Sequence, residues 1–221
     1  MTGEHGGSRH WSAALPPRRG PGQRIGLFGG SFNPAHEGHR LASLIALHRL
    51  KLDRIWWLMS PGNPLKDRRD LQSLEARMDR ARRVAAHPRI DVTTVEVALG
   101  MTYTADVLRT LTRRCSGVRF VWIMGADNLA NFPRWQRWTE IVRTVPIAIV
   151  DRPGATVRGH TGRAWSVLTP WQIPEHAAAR LADLQPPVVV MLHGPRSPQS
   201  STSLRKAALT PDGKGGRPGS S

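Results

Sequence analysis

The chain has 221 residues, with 32 Lys and Arg against 16 Asp and Glu and a formal net charge of +16, so its partners are expected to be anionic. That length accommodates one α/β domain with a substantial core and excludes two large ones. The single cysteine, Cys115, excludes an intramolecular disulfide framework, and with neither a long apolar run nor an apolar N-terminal centre the chain is expected to be cytoplasmic, not membrane-spanning or exported.

Residues 1–23 are rich in Gly, Pro, Ser and Arg without periodicity, and the spacing predicts a disordered basic arm there. The first strand is expected at Arg24 to Phe28. A helix follows from Glu37 to Leu50, with Leu41, Leu44, Ile45 and Leu47 at helical spacing and Ala42 and Ala46 allowing close packing. A second strand spans Arg54 to Met59. Ser73 then caps a helix with Leu74, Met78, Ala81 and Ala85 on one side and charge on the other. Ile90 to Val97 reads as a strand, Thr104, Val107, Leu108 and Leu111 as a helical stripe, and Val118 to Met124 as a buried strand. Two further strands are expected at Val145 to Val150 and Val188 to Leu192, with residues 154–174 as loop. Residues 209–221, with Pro211, Gly213, Gly215, Gly216, Pro218 and Gly219, form a second disordered tail, which leaves a single domain at 24–208. Short apolar runs alternating with helical patterns point to an α/β fold with a mostly parallel sheet and helices on both faces.

The most informative stretch lies between the first strand and the first helix: Gly29-Gly30-Ser31-Phe32-Asn33-Pro34-Ala35-His36-Glu37-Gly38-His39. In an open α/β sheet, ligands bind beyond the carboxyl ends of the strands, where a helix N-terminus offers free N–H groups and a positive dipole end to phosphate. Gly29 and Gly30 let the backbone approach an anion closely. His36 and His39, three positions apart at the start of a helix, can project to one side and donate to phosphate oxygens. The loop therefore reads as a triphosphate cradle. Other readings stay open at this point. The glycine pair suits a plain turn, and the histidines suit a solvated pair or zinc, although the string is one residue short of the metalloprotease spacing and supplies no third ligand.

A second motif, Ser200-Ser201-Thr202-Ser203-Leu204-Arg205, follows the last strand. The hydroxyl residues of this run, at a helix N-cap, expose donors, and Arg205 one turn inside can add a bidentate phosphate contact. Alone it reads more as an ordinary cap or disordered tail; beside the first motif that order reverses and it reads as a second anion site.

Together the two motifs resemble the nucleotidyltransferase superfamily that carries a His-x-Gly-His sequence, and within it the bacterial nicotinate-nucleotide adenylyltransferases. Pro61-Gly62-Asn63-Pro64-Leu65-Lys66, Thr102-Tyr103-Thr104-Ala105-Asp106, Met124-Gly125-Ala126-Asp127-Asn128 and Asp151-Arg152-Pro153-Gly154 match that family's signatures in its order, over about Arg24 to Leu209. Asn33 stands where many relatives have Asp, Leu65 where many have His, and Leu204 where Ile is usual.

The resemblance implies a Rossmann-like fold and a set of roles. His36, His39 and Arg205 would be the catalytic groups on the ATP phosphates, with Ser201 and Thr202 closing over them. Gly29, Gly30, Ser31, Phe32, Gly125 and Asp127 would complete the ATP site, with Lys66 as a further phosphate contact. Asn33, Thr102, Tyr103, Thr104, Trp135 and Arg152 would bind nicotinate mononucleotide, Trp135 stacking on its ring and Arg152 meeting its phosphate. Plainer alternatives are a solvated loop for Lys66, a helix cap for Asp127, core packing for Trp135 and a surface turn for Arg152; Trp138 is read as packing.

The implied reaction is AMP transfer from ATP to that mononucleotide, with Mg²⁺ bridging the phosphates and no protein ligand set for the metal visible in the sequence. Two alternatives remain. One is another phosphorylated acceptor, nicotinamide mononucleotide or phosphopantetheine. The other is a basic nucleic-acid-binding protein, for which the chain shows no zinc-finger, helix-turn-helix or RNA-binding signature. No specific nucleic acid and no membrane are expected as partners.

Overall fold

The computed structural model describes residues 16–61, 71–151 and 162–194. Its strands are β1 (Arg24–Gly30), β2 (Arg54–Met59), β3 (Ile90–Thr93), β4 (Arg119–Gly125), β5 (Ile147–Val150), β6 (Gln172–Ile173) and β7 (Val189–Leu192). They form one sheet in the order β3-β2-β1-β4-β5-β7-β6, and every pairing is parallel. The helices are α1 (Glu37–Arg49), α2 (Leu74–Ala85), α3 (Val95–Ala98), α4 (Thr104–Arg114), α5 (Trp138–Thr144) and α6 (Arg163–Leu168), with a 3-10 helix at Glu175–Asp183.

The central strands run apolar through their middles, as in residues 55–59, 120–124 and 147–150, because both faces of the sheet are covered. Side chains alternate along each strand, so one core takes Ile25, Leu27, Trp56, Leu58, Trp122, Ile147 and Val189. Helices α4, α5 and α6 close over that face through Val107, Leu111, Ile141 and Leu168. The opposite core takes Phe28, Ile55, Trp57, Ile123, Ala148 and Val190, under α1, α2 and the 3-10 helix. The α/β architecture with helices on both faces is as expected, and the sheet is parallel throughout.

Four local expectations change. Strand β1 runs on to Gly30, so Gly29 and Gly30 are strand residues. Gly29 is also required by packing, since a Cβ there would lie 2.3 Å from the indole of Trp122. Strand β3 stops at Thr93, whose buried hydroxyl accepts the Val95 N–H at 3.2 Å and turns the chain into α3. Residues 162–174 are not loop: they contain α6 and the edge strand β6, paired to β7. Lastly, residues 16–23, read as the end of the arm, lie against the domain. Pro16 is buried, the Gly22 N–H donates to Gly117 O at 2.7 Å, and Gln23 O accepts the Arg119 N–H at 2.8 Å. Among the described residues no helix is long and apolar enough to cross a membrane.

Candidate active site

Parallel pairing sends the carboxyl end of every strand to one edge, and the order reverses between β1 and β4, which opens a crevice between the loops that follow them. The loop after β1 runs from Ser31 to Ala35 and ends at His36, the N-cap of α1. His36 is 3 % exposed; its Nδ1 accepts the Gly38 N–H at 3.1 Å, while its own backbone N–H donates to His39 Nδ1 at 3.2 Å. This reciprocal cap explains why both residues belong at the start of a helix. It also fixes their chemistry. With Nδ1 of each ring accepting, the neutral imidazole carries its proton on Nε2, so both rings present N–H donors from that nitrogen. The two ring centroids are 3.9 Å apart.

Aromatic packing sets the rings from behind. Phe32, held at φ 45°, stacks on Trp57 with centroids 4.7 Å apart and lies 5.0 Å from His39. The Trp57 indole donates to Ser43 Oγ at 2.8 Å, and the Ser43 hydroxyl donates to His39 O at 2.9 Å.

Helix α2 supports the loop from its other side. Arg77 is 2 % exposed: its Nη1 donates to Ser31 O at 2.8 Å and Ser60 O at 2.9 Å, and its Nε to Gln72 O at 3.1 Å. Burial pushes its pKa below the ordinary arginine value. Arg80 Nε donates to Ala35 O at 2.9 Å, and Asn33 Oδ1 accepts the Gln72 N–H at 3.2 Å. For this contact Asn and Asp offer the same side-chain oxygen acceptor. Sequence reasoning missed Arg77, placing the charges of α2 in solvent. The available signal was its position four residues before Ala81 on the apolar stripe.

Beyond β3 and β4 lies the proposed acceptor side. Helix α4 begins at Thr104 after Tyr103, whose side chain makes no cap hydrogen bond; the Asp106 N–H donates to Tyr103 O at 3.0 Å, so the Thr104 and Ala105 N–H groups are the candidate donors of the first turn. Thr102 and Tyr103 are exposed. Trp135 is partly buried and makes T-shaped contacts with Phe132 and Trp122, with centroids 5.4 and 6.2 Å away; Trp138 packs in the core. Residues 132–138 are not one helix: a 3-10 turn, Phe132–Arg134, precedes Trp135, and α5 starts at Trp138. Gly125 ends β4 and Asp127 stands exposed in the next turn. Glu96, in α3, is 5 % exposed, and burial pushes its carboxyl up to about 8. Its signal in the sequence was a lone acid within the apolar run Val95 to Leu99.

Lys66, Arg152, Ser201, Thr202 and Arg205 lie outside the described residues. The strands that precede them, β2, β5 and β7, end on the same edge as β1 and β4.

A parallel sheet with its order reversed at β1 and β4, and an imidazole pair at the helix start in that crevice, defines a nucleotide-binding transferase of the α/β class. Residues 27–207 match the cytidylyltransferase-like family model, and the chain belongs to that family. It is 51 % identical over 185 residues to a Brucella suis protein named probable nicotinate-nucleotide adenylyltransferase, covering 84 % of this chain and 95 % of the relative. A Methylorubrum extorquens protein of the same name is 53 % identical over 182 residues, covering 82 % and 98 %. The fold also matches Plasmodium falciparum nicotinic acid mononucleotide adenylyltransferase complexed with NaAD, at TM-score 0.62 and 18 % identity, covering 83 % of each chain.

Proposed function

We propose that this chain transfers AMP from ATP to nicotinate mononucleotide, giving nicotinate adenine dinucleotide and pyrophosphate in NAD biosynthesis, in the cytoplasm. The observation that carries the reading is the reciprocal His36–His39 cap at the switch point of the sheet, in a chain about half identical to relatives bearing that activity in their names.

The acceptor's 5′-phosphate oxygen attacks the α-phosphorus of ATP in line, the bond to the bridging oxygen breaks, and pyrophosphate leaves. The protein need supply no nucleophile. The Nε2–H groups of His36 and His39 donate to phosphate oxygens, where negative charge accumulates, and the N-terminal dipole of α1 acts in the same direction. Ser31, Phe32 and the β1 glycines line the triphosphate, Gly125 and Asp127 the ATP ribose, and Lys66, Ser201, Thr202 and Arg205 add donors. On the acceptor side, the nicotinate carboxylate takes the uncapped N–H groups at Thr104, flanked by Thr102 and Tyr103, and Trp135 offers its ring face. Asn33 holds the loop between the two substrates, and Arg152 takes the mononucleotide phosphate.

Such phosphoryl chemistry uses a divalent cation with ATP, and we assign magnesium. Among the described residues no three His, Cys, Asp or Glu side chains converge into a cation cage, so a cation would be held chiefly by the triphosphate oxygens. When bound, it neutralises charge on the departing pyrophosphate.

The test is a coupled assay of pyrophosphate release with nicotinate mononucleotide, nicotinamide mononucleotide and phosphopantetheine. Release with nicotinate mononucleotide foremost is expected, and release with phosphopantetheine alone would overturn the assignment.

A further inference from the structure

Asp106, in α4, and Arg137, at the N-cap of α5, each follow closely on one half of the proposed acceptor side. Asp106 is two positions after Thr104, and Arg137 is two positions after Trp135. Arg137 Nη2 donates to Asp106 Oδ2 in a short, part-buried ion pair, while the other carboxylate oxygen accepts from Arg109 Nη2 at 2.7 Å. The two arginines differ in setting: the Arg109 side chain is 63 % exposed and that of Arg137 32 %.

Arg137 sits at the N-cap of α5 with φ 53° and ψ 38°, a left-handed conformation uncommon for a residue with a side chain. The turn leading into it is tight: the Trp135 N–H donates to Phe132 O at 3.0 Å, and the Trp138 N–H donates to Trp135 O at 3.2 Å. Trp135 is thus fixed to its own turn, and its ring packs on the core with T-shaped contacts to Trp122 and Phe132. Besides the apolar core that the two helices share, a guanidinium–carboxylate pair ties this turn to the start of α4.

Resting on the adenylyl-transfer reading, we infer that the Asp106–Arg137 pair is a positioning device for the acceptor: it holds the Trp135 turn against the N-terminus of α4, and so sets the slot between the Trp135 ring and the Thr104 N–H groups. Neither residue needs to touch substrate. Misplacing a ring by an ångström weakens stacking and carboxylate contact together, whereas the phosphate loop, anchored from α2, is untouched.

The experiment is steady-state kinetics on the intact chain, with KM measured separately for nicotinate mononucleotide and for ATP. Arg137→Met and Arg137→Gly should raise the acceptor KM by about tenfold or more and leave the ATP KM within about twofold. Glycine adopts the left-handed turn without cost, so Arg137→Gly carries the test if the methionine variant does not fold. Arg137→Lys, which keeps the charge, should recover most of the loss. Arg109→Ala, which strips the other oxygen of the same carboxylate from the solvent side, should change neither KM. An unchanged acceptor KM in Arg137→Gly, or equal rises in both KM values, overturns the inference. A wild-type chain inactive on nicotinate mononucleotide overturns the adenylyl-transfer reading itself, and this inference falls with it.

Discussion

Arg77 donates from inside α2 to the carbonyl oxygen of Ser31, 2.8 Å away, and the same nitrogen reaches Ser60 O. One buried guanidinium thereby fixes the exits of β1 and β2 at once. Arg77→Met should leave these carbonyls without a donor, at about 3 kcal/mol in all, which for a chain of this size lowers Tm by roughly 6–12 °C. The ATP KM should rise as well. A variant as stable as the parent in thermal unfolding would show the staple to be idle.

His36 performs two tasks that substitution can separate. His36→Ser keeps a side-chain acceptor for the cap and removes the Nε2–H donor. Stability should stay within about 1 kcal/mol while kcat/KM falls by about a hundredfold or more. His39→Ala and Arg205→Ala should lose activity to a similar degree. Near-normal turnover in folded variants would remove these residues from the chemistry.

Glu96 predicts a pH dependence of stability. Its folded-state pKa, about 8, lies above the ordinary 4.5, so between these values the folded chain binds more protons than the unfolded one. The contribution to stability is full below about pH 4.5, declines as pH rises, and is gone above about 8. Glu96→Gln removes the ionisation, so its advantage over the parent should grow from pH 5 to pH 9 by on the order of 4 kcal/mol. Urea denaturation of both proteins at the two pH values measures it; a gap that stays constant would contradict the assignment.

Nicotinate mononucleotide should be preferred over its amide by at least about tenfold in kcat/KM, since an amide NH₂ facing the N–H donors of α4 leaves them unpaired. Trp135→Ala should weaken both acceptors in similar proportion, because either ring stacks on indole. Competition kinetics at saturating ATP separates the two effects, and equal values for acid and amide would mean that α4 does not receive the carboxylate.

The central strands and α1 were legible in the sequence because their apolar spacing agrees with the tertiary burial, as at Ala42, Ala46 and Leu47. The loop after β1, proposed to hold phosphate, stood out in the sequence because it sets paired glycines and two histidines between a strand and a helix. Less was available elsewhere. Strand β6 has two residues, too few for any period to register, and α3 begins in an apolar run that Thr93 breaks through a hydroxyl contact. Arg77 was hidden by its charge, since a buried arginine satisfied by carbonyl oxygens looks in sequence like any solvated one. The Asp106–Arg137 pair joins positions 31 residues apart, beyond any local pattern.

The relay from Trp57 through Ser43 to His39 O gives substitutions at these sites an order. Trp57→Phe first leaves Ser43 with a backbone acceptor and no orphan, after which the hydroxyl is dispensable. Ser43→Ala first strands a buried indole N–H, at about 1–3 kcal/mol. Descendants of this sequence should therefore lose the tryptophan before the serine, and alanine at 43 beside tryptophan at 57 should be the rare pairing among them.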